Sequence, residues 1–435
     1  MGVEDAEDMN GIQGEQIRVG VIGAGERGVY VLGARAVELR EETGIIIRVL
    51  CDTNADRAAE GAAFLRDLYR RSGLDVSIDV ETDFRRVVNR DDVDTIFVTT
   101  YTSEHRAPTE AALAAGKQVY LDKPMATTLE DAEAMMAAER ETGRPLIMGF
   151  TRRYEHSWRT ALELVRAGEI GELQTILLRS VIPYARYLQR WHRLQERSGG
   201  ALNDKVSHYF DALNWIAGSR ATSLMAMGGR SSVFAPDPTA PKRCRECDRD
   251  CPFRALPGPN RRELGIVYRL DPDYRKQEHG IFSRRSWTGA EAEDAQIDNC
   301  VYSPDSDIVD HAVVNIGYEN GIKAALFWNI FGPSAEDEET LELVGSSGRL
   351  RLTRDTGEID LVSDYGASHR TIDARGPHFE SSHFGADVEL LHTVRRHFAG
   401  EKPIAGTADG YESLRMVEAT QRAVDAGGAL IRLTD

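Results

Sequence analysis

Lysine is scarce in this chain. Of 53 basic residues only seven are lysine, at 117, 123, 205, 242, 276, 323 and 402, and 70 acidic residues leave a net charge of −17. So acidic a chain lacks the basic face that displaces phosphate counterions. That excludes general nucleic-acid binding and disfavours docking on an anionic membrane. No run of 18 apolar residues occurs, so no transmembrane helix is expected. The opening residues, MGVEDAEDMNGIQGEQ, have neither the basic start nor the apolar stretch of a secretory signal. Residues 1–15 read as a solvated acidic tail, and cytoplasm is the expected location. The arginine-for-lysine bias suits either a high-salt surface or a GC-rich coding sequence. With 435 residues the chain should hold two or three domains, each able to bury its own core.

From Ile17 to Phe150, short apolar runs (IRVGVI, IIIRVLC, TIFVTT, QVYLD, PLIMGF) alternate with Ala-, Glu- and Arg-rich stretches of helical spacing. Runs without polar alternation are strands covered on both faces, and their alternation with helices predicts an α/β domain with a parallel sheet over 16–150. The first strand leads into Gly23-Ala24-Gly25-Glu26-Arg27-Gly28. Glycine at these three places allows a tight turn, close approach of a pyrophosphate, and close packing of the following helix, whose N-terminus faces the anion. Asp52 follows the second strand, 24 residues past Gly28, where an acid accepts from a ribose 2′-OH and repels a 2′-phosphate. The pattern predicts a dinucleotide site that takes NAD rather than NADP, with Arg57 the one nearby cation able to reach a phosphate. Thr99, Thr100, Tyr101 and His105 follow the next strand. His105 either faces the cofactor or caps a helix. Asp122-Lys123-Pro124 ends a later strand, where ligands bind in such sheets. Lys123 is there a substrate-oxygen cation or a solvated charge.

From about Thr151 the pattern changes to longer strands with tight turns, including the hairpin signals Asn320-Gly321 and Ser347-Gly348. Residues 151–435 are therefore expected to form an α+β domain with a mostly antiparallel open sheet and core helices near 384–398 and 409–426. Within it, Gly199-Gly200-Ala201-Leu202-Asn203-Asp204-Lys205-Val206-Ser207-His208 opens a helix. Asp204 and His208, at i and i+4, share one helix face. A near-neutral His suits taking a proton from a hydroxyl, and Asp204 suits orienting it or binding a neighbouring hydroxyl. The bland reading of the pair is an N-cap and a buried His. Lys205 either binds a carboxylate or sugar oxygen or pairs with Asp204 or Asp211. Arg152, Arg153, Tyr154, Tyr184, Arg186, Trp191 and His192 suit either a polyol or sugar acid or simple packing.

The GAGERG turn, Asp52, the stretch from Tyr101 to His105, Asp122-Lys123-Pro124 and the 199–211 segment together resemble the Gfo/Idh/MocA oxidoreductases, relatives of glucose–fructose oxidoreductase and inositol 2-dehydrogenase. Asp122 stands where that family usually has Glu. The resemblance implies a Rossmann domain and a second domain whose open sheet serves homo-oligomerisation, as a dimer or tetramer. It implies catalysis by Lys123, Asp204 and His208. Cofactor contacts fall on Gly23, Gly25, Glu26, Arg27, Gly28, Asp52, Thr100, His105 and Lys123, and substrate contacts on Lys123, Arg153, Asp204 and His208. The implied activity is NAD(P)-dependent hydride transfer at a secondary hydroxyl of a sugar, polyol or sugar derivative. Some relatives instead cleave glycosides or exchange oxidation between sugars on tightly held NAD, and some are NAD- or sugar-sensing regulators.

Four of the five cysteines cluster. Cys244-x2-Cys247-x3-Cys251 lies in a polar insertion at about 232–300, and Cys300 follows 49 residues later. Three close thiols and a distant fourth suit a structural Zn²⁺ site, with an iron–sulfur cluster, disulfides or free thiols as the other readings. The core family lacks this cluster; the resemblance here is to a subgroup with a four-cysteine insertion. Cys51 reads as a small core residue.

Overall fold

The structure is a computed structural model describing residues 16–253, 299–333, 335 and 337–433. The acidic tail and most of the insertion lie outside the described residues. Two compact units interleave along the chain. The first comprises residues up to Asp122, Glu133–Gly149 and Asp387–Thr407; the second comprises Lys123–Ala132, Phe150–Ala386 and the residues from Ala408 onward.

In the first unit, β1 (Ile17–Ile22), β2 (Ile45–Cys51), β3 (Asp79–Glu81), β4 (Thr95–Val98), β5 (Gln118–Leu121) and β6 (Ile147–Met148) form a wholly parallel sheet in the order β3-β2-β1-β4-β5-β6. β1 and β4 are neighbours but not consecutive, so the connections diverge there, and such a switch point is where doubly wound sheets bind ligands. The strands are almost entirely buried. The helix Ala55–Arg71 starts on Asn54, whose side chain accepts from the Arg57 amide, and covers the sheet with Ala58, Ala62, Leu65 and Tyr69.

In the second unit, β7 (Leu173–Val181), β8 (Ala221–Gly229), β9 (His311–Tyr318), β10 (Lys323–Asn329), β11 (Glu339–Gly345), β12 (Arg349–Thr353), β13 (Glu358–Ser363), β14 (Ser368–Asp373) and β15 (Leu430–Arg432) form a sheet in the order β14-β13-β12-β11-β7-β10-β9-β8-β15. Only the β7–β10 pair is parallel. The hairpin at Asn320-Gly321 puts only Gly321 at positive φ (+90°), with the Gly321 amide bonded to Tyr318 O. The helices Ser207–Ala217 and Thr407–Asp425 supply Tyr209, Phe210, Leu213, Met416 and Ala423 to a core with Leu178, Val314 and Leu326. No helix among the described residues is long and apolar enough to cross a membrane.

Candidate active site

The three turn glycines are required for different reasons. Gly23 has φ +99°, and a Cβ there would stand 2.6 Å from the Thr99 and Thr100 backbone. At Gly28 a Cβ would collide with Thr99 Oγ1 and Gly23 O. Thr99 ties these places together by donating to Gly23 O (2.8 Å). Gly25 answers to nothing in the protein: a Cβ there meets no atom within 4 Å. Its backbone faces open space at the start of the Glu26–Gly33 helical stretch, which opens as a π-helix before continuing into Ala34–Glu38. That is the surface a pyrophosphate needs. Glu26 is exposed.

Asp52 is buried and serves the same turn. Its Oδ2 accepts from the Ala24 amide (3.0 Å), its Oδ1 from the Asn54 amide (2.9 Å), and Arg57 Nη1 reaches Oδ1 and Oδ2 (3.1 and 3.3 Å). Arg57, the cation a 2′-phosphate would need, is therefore paired with Asp52. The Arg27 side chain turns inward: Nη1 lies 2.6 Å from Asp387 Oδ1, Nε 3.3 Å from Asp122 Oδ1, and Nη2 donates to Tyr120 OH (3.2 Å). Its guanidinium braces the unit, so what it offers a nucleotide is its backbone N–H. Thr100 Oγ1 bonds Glu104 O (3.3 Å), and buried His105 sets Nε2 3.3 Å from Thr100 O. The His105 side chain makes no cap on the helix Arg106–Ala114.

In the second unit Lys123 Nζ donates to Asp204 O (2.8 Å) and lies 3.3 Å from Asp204 Oδ1. Asp204 belongs to a π-helical stretch, Leu202–Val206, that runs into the helix Ser207–Ala217 carrying His208. Sequence spacing predicts an ordinary helix here; π-turns of this kind are frequent at functional sites. Burial raises the Asp204 carboxyl, but the Lys123 ammonium and the hydrogen bond from Tyr187 OH (2.6 Å) outweigh it and bring it to about 2. Burial, then the charges of Lys123, Arg152 and Lys205, push His208 well below the usual imidazole range. His208 is thus neutral. Its Nδ1 has no hydrogen-bond partner, and its ring meets Phe150 edge-on at 6.2 Å. Lys123 is the group both side chains feel.

Two residues join this group that sequence reasoning underweighted. Tyr187 lies in a stretch with no motif. His192 Nε2 stands 3.9 Å from Asp204 Oδ1, its ring stacked on Trp191 (3.9 Å) and pushed down to about 3, chiefly by burial. The run of aromatics over 184–192 was the available signal.

Two other side chains find partners that the sequence did not point to. Arg153, expected on the substrate, is buried, with Nη2 held by Asp211 (2.7 Å) and Asp409 (2.6 Å) and Nε by Asp211 (3.0 Å). These two carboxylates hold the guanidinium within the unit. Lys205 pairs with neither Asp204 nor Asp211 but with Glu339 Oε1 (3.1 Å). Glu339 also takes Arg152 Nη2 (2.5 Å) and the Tyr209 hydroxyl (2.9 Å), while Glu155 takes Arg152 (2.6 Å) and Arg354 (2.8 Å). Three cations and two carboxylates are buried side by side. As for the thiols, no disulfide joins the five cysteines. Among the described residues no three His, Cys, Asp or Glu side chains converge as a metal cluster.

Two family patterns match the chain, one described as the oxidoreductase family's NAD-binding Rossmann fold, over residues 17–150, the other as its C-terminal alpha/beta domain, over 162–430. The chain belongs to the Gfo/Idh/MocA oxidoreductase family. Among its relatives in that family, inositol 2-dehydrogenase 3 of Saccharopolyspora erythraea is 32% identical over 217 residues, 49% of this chain and 57% of that protein. The 1,5-anhydro-D-fructose reductase of Ensifer adhaerens is 31% identical over 213 residues, 48% of this chain and 59% of that protein. These matches span little more than half of each relative. Levoglucosan dehydrogenase, solved in complex with NADH, superposes with a TM-score of 0.71 at 16% identity, over 97% of this chain and 100% of that one. An oxidoreductase domain protein from Kribbella flavida gives 0.71 at 20% identity, over 97% and 100%. At these identities the likeness is one of fold. The comparisons reach the Gfo/Idh/MocA family and not a subgroup defined by cysteines.

Proposed function

We propose that this chain is an NAD-dependent oxidoreductase moving hydride between nicotinamide and a secondary hydroxyl of a sugar, polyol or sugar derivative. The observation that carries the reading is one buried group: the Lys123–Asp204 pair, and a neutral His208 with an unpartnered ring nitrogen, both under the Lys123 charge. A neutral imidazole takes the proton of a carbinol hydroxyl. The Lys123 ammonium stabilises the charge left on that oxygen, as does the cationic surround that keeps His208 unprotonated. Asp204, ionised down to about pH 2, accepts from a neighbouring hydroxyl and fixes the sugar's orientation.

NAD, when bound, supplies the hydride acceptor. The fit rests on Gly25, whose open face the fold itself does not need, and on the backbone amides of Glu26, Arg27 and Gly28, with Thr100 and His105 at the neighbouring strand end; the Gly23 amide is held by Cys51 O (2.8 Å) and shapes the turn. Asp52 already accepts four hydrogen bonds from three protein donors, about the capacity of a carboxylate, so a ribose hydroxyl would take the place of one of them. The Arg57 charge is engaged by the same carboxylate. This supports NAD over NADP.

A homo-oligomer is part of the reading. Phe327, Val313 and Met227 lie in register across β10, β9 and β8, and Leu177, Met225 and Leu430 share that face. All six are exposed, Met227 at 69%. Such an apolar sheet face fits a second copy of this chain.

The test begins by identifying any nucleotide released from the purified protein. Absorbance at 340 nm is then followed with NAD and NADP against polyols, sugars and sugar acids. Reduction of free NAD is the expected result. Bound NAD with no net reduction would instead point to glycoside cleavage or sugar-to-sugar transfer. Neither binding nor turnover would leave a sensor.

A further inference from the structure

The cysteines outside the active site are not scattered in space. Cys244, Cys247, Cys251 and Cys300 all line one cavity of about 20 Å³, with Phe253, Val301 and Tyr302. The distant fourth cysteine is delivered by backbone pairing: Arg243 bridges Asn299, and the Cys300 amide donates to Lys242 O (2.9 Å). Four thiols that line one cavity beside a short antiparallel bridge, from two stretches 49 residues apart, need a reason beyond core filling. Among the described residues of the surrounding segment, the buried apolar side chains besides the cysteines are Phe234, Phe253 and Val301.

We propose that Cys244, Cys247, Cys251 and Cys300 form a closed four-thiolate site for one zinc ion. About 10–15 Å³ holds one water, so this space suits a single ion rather than an organic molecule. Soft thiolates select zinc or iron–sulfur chemistry, and a single-ion space favours zinc. The thiols border the cavity without converging on its centre. Each Sγ has three staggered positions, and ligation selects the inward ones. On binding, four thiols release four protons to solvent and four Zn–S bonds of about 2.3 Å form. The product carries two negative charges and faces Arg249 in the cavity wall, whose guanidinium is itself paired with Asp237 (2.6 Å). With four protein ligands there is no open position for catalysis.

The site lies one hydrogen-bond layer from the Asp204 group. Asn299 donates to Gln189 O through both its amide (3.2 Å) and its Nδ2 (2.9 Å), and Gln189 Nε2 bonds Phe253 O. Gln189 is two residues from Tyr187 and three from His192. Zinc therefore pins the strip that carries two of the groups around Asp204.

The experiment uses the full chain purified without chelator. Elemental analysis should find about one zinc per chain, the stoichiometry of one closed site. Cobalt exchanged into the same protein should show the visible bands and thiolate charge-transfer absorption of a tetrahedral sulfur site. Titration with an organomercurial should release the zinc over about four equivalents. Cys247→Ser should lower the zinc content at least about fivefold, while Cys51→Ser retains it. If Cys247→Ser does not fold, the cobalt spectrum and mercurial titration of the unaltered protein still decide. Zinc absent even after dialysis against zinc, stoichiometric iron with sulfide, or disulfide-linked peptides joining these cysteines would each overturn the proposal. None of these readouts depends on the oxidoreductase activity.

Discussion

Replacing Lys205 should not weaken the protein, despite its ion pair. The buried cluster holds three cations (Lys205, Arg152, Arg354) against two carboxylates (Glu155, Glu339). Burial, opposed by Glu339 and aided by the two arginines, brings Lys205 from 10.5 down to about 8. That shift corresponds to about 3 kcal/mol against the ammonium in the folded chain, at about 1.4 kcal/mol per pH unit. Lys205→Met leaves two cations against two carboxylates and fills the same space. At pH 7 it should match or exceed the parent, by up to about 3 kcal/mol. Glu339→Gln leaves three cations facing Glu155 alone and should cost about 3–5 kcal/mol. The sign with pH follows. A lysine with a lowered folded pKa binds its proton less tightly folded than unfolded. Its cost is full below about pH 8 and vanishes above 10.5. Urea unfolding of parent and Lys205→Met at pH 7 and pH 10 reads this directly, and the gap between them should shrink as pH rises. Asp355, which burial pushes up to about 7 beside Arg354, titrates in both proteins. Its contribution drops out of the difference to first order. A Lys205→Met protein weaker by about 2 kcal/mol or more, or a gap that ignores pH, would refute the reasoning. If the variant is stable but turns over poorly, the strained ammonium is kept for the substrate and not for the fold.

Lys123→Met should cut turnover by about 10²–10⁴-fold with nucleotide affinity near normal, measured by NAD fluorescence titration beside steady-state rates. His208→Asn should lose activity similarly. In the parent, no acid limb of kcat/KM near pH 6.5 should arise from His208, because its imidazole stays neutral well below that value. Gly25→Ala should leave the melting temperature within about 2 °C while weakening nucleotide binding at least about tenfold, whereas Gly28→Ala should lower both. Asp52→Ala should weaken NAD more than NADP. It should also lower the melting temperature, since it removes the acceptor of the Ala24 and Asn54 amides and the carboxylate partner of Arg57.

What could be read in the sequence was what is local. The glycine turn and the acid after β2 work through neighbours a few residues away or at a fixed βαβ distance, so pattern alone finds them. Lys123, Asp204 and His208 stand in short motifs. Their supports do not. Lys205 finds Glu339, Arg27 finds Asp387, and Arg153 finds Asp409, each across more than 130 residues. No spacing rule reaches that far. The π-helical Leu202–Val206 was hidden because its sequence also suits an ordinary helix. β14 was missed because SHRTID has only one apolar residue and is almost wholly exposed. β15 is only three residues long.

The interleaving of the two units limits how this chain can be cut or recombined. The path leaves one unit for the other after Asp122, Ala132, Gly149, Ala386 and Thr407. A fragment ending near residue 150 would therefore lack Asp387, the closest partner of Arg27, and Ala405, whose carbonyl receives the Met148 amide (3.0 Å). Its parallel sheet would be complete yet its last strand would lack an anchor. Domain exchange between relatives at a single junction would break both units, so viable chimeras need the 387–407 segment to travel with the first 122 residues.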